Sequence, residues 1–119
     1  MDEPLRLPEG SWWDWEIVEC NGGVLRLAAG YDLTYHHGLE VVFTDPRYVQ
    51  LPVSFQDPVF RTATARERDL VTAAVGEAPP VLVALDVDAP GAQRAPACLI
   101  AAEEVAVVRG SFARGSVTP

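Results

Sequence analysis

A chain of 119 residues, 49% hydrophobic and 22% charged, supports one globular core and is short for two. Its 17 acidic residues outnumber 9 basic ones, for a formal charge of −8, a field that disfavours nucleic acid and anionic membrane surfaces. All nine basic residues are Arg, and without Lys a Walker phosphate loop, a Schiff-base nucleophile and a Ser–Lys hydrolase are excluded.

Residues 1–11 are acidic and broken by Pro4, Pro8 and Gly10, unlike the basic start and apolar run of an export signal, and read as a loose arm. From 13 to 20, Trp13, Trp15 and Ile17 alternate with Asp14, Glu16 and Val18, the period of a half-buried strand. Asn21-Gly22 then reads as a type I′ hairpin turn, with residues 24–29 returning as the partner strand. A turn region over 30–38 holds Tyr31, Asp32, Tyr35, His36 and His37. In the third strand, 39–44, Leu39, Val41 and Phe43 form one apolar face. Asp45-Pro46-Arg47 has turn chemistry, and 48–51 reads as a fourth strand, with Pro52 placing it at an edge or a bulge. Residues 53–60, with Asp57-Pro58, read as irregular.

The one helix is expected over 64–75. Thr64 and Glu67 have capping-box spacing, Leu70, Val71, Ala74 and Val75 form the apolar stripe, and Gly76 closes the end before Pro79-Pro80. The Val-rich run 81–87 suits a strand buried on both faces. After a loop over 88–96, residues 97–102 form a strand, and 105–109 form a last strand or its continuation past a bend at Glu103-Glu104. The tail 110–119 is expected to be mobile.

The expected fold is therefore a single α+β domain spanning 1–119. It has a mainly antiparallel, strongly curved sheet or partly closed barrel of six or seven strands and one helix, in the order ββββ-α-βββ. No apolar run approaches the roughly 20 residues of a membrane-spanning helix. Cys20 and Cys98, 78 positions apart and without CxxC spacing, read as free thiols in a reducing cytoplasm.

Enzyme sites are hard to assemble from these residues. None of the four Ser lies in a G-x-S-x-G elbow, and Cys98 sits among apolar residues that make a thiol inert. His36 and His37 are the only histidines and face opposite ways in an extended chain, so a metal centre would have to recruit Asp32 or Glu40. No cofactor or metal is expected. Arg61, Arg66 and Arg68 read as charges compensating nearby acids. Three Trp within four positions are the most unusual composition, since Trp concentrates at the energetic centres of interfaces. The binding candidates are Trp12, Asp14, Glu16, Tyr35, His36 and His37.

The function these features favour is a non-catalytic protein-binding module for a basic partner, such as an immunity-type inhibitor or an adaptor. The alternatives are a small-ligand carrier with a pocket lined by Trp13, Trp15, Tyr31 and Phe43, and a metal-dependent enzyme centred on His36 and His37.

Overall fold

Alternation of apolar and polar side chains draws the chain into strands, and in a computed structural model these close into a six-stranded antiparallel barrel. The structure describes residues 5–10, 12–30, 36–88 and 97–113. The strands are β1 (Asp14–Cys20), β2 (Val24–Gly30), β3 (His36–Gln50), β4 (Ser54–Arg61), β5 (Val81–Asp88) and β6 (Ala97–Ala113), with helix α1 (Ala65–Val75) between β4 and β5. Around the barrel they run β1-β2-β3-β6-β5-β4, and β4 returns to β1.

The α+β class, the single helix and the curved antiparallel sheet all hold, and the order is ββββ-α-ββ. The strands are divided differently from the expectation. Residues 39–44 and 48–50 belong to one strand, β3; residues 97–109 form one strand, β6, in agreement with the continuation reading of 105–109, and it runs on to Ala113. All but the first of residues 53–60, read as irregular, belong to β4, which ends at Arg61.

The two Asp-Pro pairs account for much of this difference. Asp45 and Asp57 have φ of 51° and 47°, a left-handed conformation that Asp tolerates better than most residues. The pairing register shifts between Pro46 and Tyr48 in β3, and between Gln56 and Val59 in β4. Each pair therefore makes a bulge inside a strand, where the sequence chemistry reads as a turn between strands. Both bulges stay tied to the sheet, because the Asp45 amide donates to the Gly23 carbonyl at 3.0 Å and the Asp57 amide to the Trp13 carbonyl at 2.8 Å. The spacing Phe-x-Asp-Pro recurs at 43–46 and 55–58, and in both copies the Phe is buried in the interior.

The β1–β2 hairpin forms as expected, with a different turn. None of Asn21, Gly22 and Gly23 takes the positive φ of a type I′ turn. Asn21 Oδ1 instead accepts from the amides of Gly23 at 2.8 Å and Val24 at 3.0 Å, so a side-chain oxygen holds the connection.

Trp15, Leu25, Leu27, Leu39, Val41, Phe43, Phe55, Leu85 and Ile100 fill the interior. Trp15 stacks on Phe55 at 5.9 Å and tilts against Phe60 at 5.6 Å. Burying each large apolar side chain contributes roughly 1.5–3 kcal/mol, so this layer is the main source of stability. A second, smaller layer lies outside the wall, where Val71 of α1 packs with Leu82, Ala84, Leu99 and Ala101. Strands β5 and β6 are thus buried on both faces there, as the Val-rich run predicts.

Helix α1 carries the expected ends. Thr64 Oγ1 accepts from the Glu67 amide at 3.1 Å, Glu67 Oε1 accepts from the Thr64 amide at 2.9 Å, and Gly76 closes the helix at φ 96°. Its apolar stripe is narrower than expected. Val71 is buried and Val75 half-buried, while Leu70 and Ala74 are exposed, because the helix rests on the line of 67, 71 and 75.

The N-terminal arm is docked where it is described: Leu5 and Leu7 pack against the interior cluster. No helix among the described residues is long and apolar enough to cross a membrane.

Candidate functional site

The Trp segment lies where β1 enters the barrel, and its three rings have separate environments. Trp15 is fully buried, Trp12 is half-buried and Trp13 is 51% exposed. The expectation that Trp13 and Trp15 share a core face fails because β1 begins at Asp14, so Trp13 precedes the regular alternation.

Trp12 closes one end of the barrel. Its indole Nε1 donates to the Pro8 carbonyl at 2.7 Å, and its own carbonyl accepts from Trp15 Nε1 at 2.7 Å. The ring lies against Gly10 and Gly38, where a Cβ would stand 2.4 Å and 3.1 Å from it, and the Arg109 guanidinium sits 6.0 Å from its centroid. Trp12 thus packs into one end of the barrel, and among the described aromatic residues Trp13 is the exposed one.

The short β1–β4 seam positions the acidic candidates. Asp14 pairs with Gln56, Trp15 with Phe55 and Glu16 with Ser54. Gln56 Nε2 donates to Asp14 Oδ1 at 3.1 Å. Backbone bonds from Asp57 to Trp13 and from Ile17 to Val53 flank these pairs. The seam therefore has Trp13 at one end and Val53, 76% exposed, at the other, with Asp14 and Glu16 between them. Val59, 60% exposed, follows the Asp57 bulge on β4.

His36 and His37 enter β3 opposite Ala113 and Phe112 of β6, immediately before the Gly38 that faces Trp12. Their side chains, and Tyr31, Asp32 and Tyr35 entirely, lie outside the described residues. Glu40 is drawn into another arrangement: Arg26 Nη1 donates to its carboxylate at 2.8 Å, and Arg26 Nε to Glu19 at 3.2 Å. Among the described residues no three His, Cys, Asp or Glu side chains converge as a metal site.

Arg61 compensates acids, as expected for that cluster, with specific geometry. Its guanidinium donates to both Glu67 oxygens at 2.6 Å and 2.7 Å, and its Nε to Asp86 at 3.1 Å. Hydrogen bonds from Arg61 hold the Glu67 carboxyl down at about 2, and the same pairing raises the Arg61 pKa. Arg47 bridges Glu77, just past α1, to Glu103 of β6. The helix is thus tied to the barrel near both ends.

Cys98 is buried and Cys20 exposed, both as free thiols; burial pushes the Cys98 thiol up, as its apolar surroundings imply. Sequence reading missed the exposed Val53 and Val59, since they fall in the stretch taken as irregular.

Together these features define a small antiparallel barrel with an interior filled by aromatic and aliphatic side chains and a seam that is acidic and partly apolar. No protein-family model, curated protein or solved structure matches the chain.

Proposed function

We propose that this domain is a non-catalytic protein-binding module for a partner with a basic surface, an immunity-type inhibitor or an adaptor being the forms that suit its size and charge. The observation that carries the reading is Trp13, a large aromatic left 51% exposed beside Asp14 and Glu16 in a chain of charge −8. Val53 and Val59 extend the apolar part, and the acidic residues supply the steering field. The module works in a reducing cytoplasm, where Cys20 and Cys98 stay thiols. The carrier alternative loses support because two of its pocket residues, Trp15 and Phe43, are packed in the interior cluster.

Affinity capture followed by titration of the purified partner tests the reading. Trp13→Ala is expected to weaken binding by roughly thirtyfold, the scale of an interface anchor. Asp14→Asn with Glu16→Gln is expected to reduce the association rate and its salt dependence. Affinity indifferent to salt and to all three substitutions overturns the proposal.

A further inference from the structure

Strand β6 outruns its neighbour β5. The β5 pairing ends at Val81 opposite Ala102, while the β3 pairing continues from Glu104 to Ala113. Beyond 102, β6 is therefore hydrogen-bonded along one edge only among the described residues. The side chains agree with this. Phe43 and Val41 of β3 are fully buried, yet their partners Val105 and Val107 are half-buried, and Val108 is 42% exposed. The barrel wall is thin at this point.

Exposed sheet edges are normally guarded by Lys, Pro, bulges or inward charges, because their free N–H and C=O groups template another strand. Residues 105–110, Val-Ala-Val-Val-Arg-Gly, carry no Lys and no Pro, and no register shift falls within 105–109; the one shift near this end of β6 comes past Arg109, before Phe112. Their one charge, Arg109, sits over the Trp12 ring.

We infer that the free edge of β6 over 105–110 is a strand-addition site for an extended segment of another protein that alternates apolar and basic side chains. Backbone pairing supplies the affinity in this mode of recognition, and alternate side chains supply the specificity. One set of incoming side chains meets the half-buried Val105 and Val107 and completes the wall, which calls for apolar residues. The other set lies on the outer face beside Glu104 in a chain of charge −8, which calls for Arg or Lys. A second copy fits less well, since it adds another −8 and brings Arg109 as its only base in this stretch. The site is separate from the Trp13 seam, and each can fail without the other.

The test uses the whole protein and the probe peptide acetyl-Arg-Val-Arg-Val-Arg-Val-Arg-amide, followed by amide NMR. Expected are shift changes concentrated at 104–110 and an affinity that falls between about 50 and 300 mM salt as screening increases. At least tenfold weaker binding is expected for the same peptide N-methylated at alternate residues, and for its Glu-for-Arg counterpart. Trp13→Ala should leave this binding unchanged. No binding, equal binding by the N-methylated peptide, or shifts centred on Trp13 to Glu16 overturns the inference. Sedimentation showing a dimer that already occupies the same amides overturns it in favour of a second copy. These readouts need no β6 variant, so misfolding cannot mimic either result.

Discussion

Ile100 and Val107 belong to the same strand and face the same interior, and their surroundings differ sharply. Around Ile100, β6 is paired with β5 on one side and β3 on the other, α1 covers the outer face, and residues 98–102 are all buried. Around Val107 only β3 is paired among the described residues, and the exposed Ala106 and Val108 flank it. Both stretches are rich in aliphatic residues, so composition does not distinguish them. What differs is how many elements surround the strand, and that is set by β5 ending while β6 continues.

The largest expected effect tests this contrast directly. Ile100→Ala should cost about 3 kcal/mol, the transfer and cavity terms of a site that cannot collapse, and Val107→Ala about 1 kcal/mol. Urea unfolding measures both, and equal losses would erase the distinction between the two halves.

Next in size is the tie between the helix layer and the barrel. Glu67 titrates at about 2 in the folded protein, below its ordinary value of 4.5. Its contribution is therefore complete above about pH 4.5 and is lost as pH falls through about 2. Allowing for partial solvent exposure, that contribution is on the order of 2 kcal/mol. Glu67→Gln should remove it at neutral pH and flatten the acid limb of a stability-against-pH profile. An unchanged acid limb would show that Arg61 does not clamp the helix.

A smaller effect is expected at the plugged end. Gly38→Ala sets a methyl group 3.1 Å from the Trp12 ring, which Gly10 and Arg109 hold in place, and should cost about 1 kcal/mol through overpacking. A melting temperature equal to that of wild type would show the plug to be loose. Smallest of all, Trp13→Ala should change stability by no more than about 0.5 kcal/mol, as for an exposed residue outside the core. A larger loss in the same melt would place Trp13 in the fold instead of the interface.

Local signals survived best in the sequence. The β1–β2 hairpin, the Thr64 and Glu67 capping box, the Gly76 cap and the doubly buried β5 each depend on a few adjacent residues. The two Asp-Pro pairs misled because the same chemistry serves a turn or a bulge, and only the pairing partners decide which. Strand β4 was hidden for that reason, its period broken at Asp57. In the candidate site, Asp14 and Glu16 fall on the seam, whereas Trp13, expected on the core face with Trp15, is exposed, and Trp12 is half-buried. Which ring is covered depends on Gly10, just outside the strand pattern, and on Gly38 and Arg109, both distant from it in sequence. The edge of β6 that is unpaired among the described residues could not be read from sequence, since it follows from the relative lengths of strands joined across the barrel.

Amide hydrogen exchange along β6 in the free protein measures that edge most directly. Amides within 98–102 should exchange only on global unfolding, while alternate amides within 105–110, those turned away from β3, should exchange orders of magnitude faster. Uniform slow exchange from 98 to 110 would mean that the edge is already covered and would contradict the account.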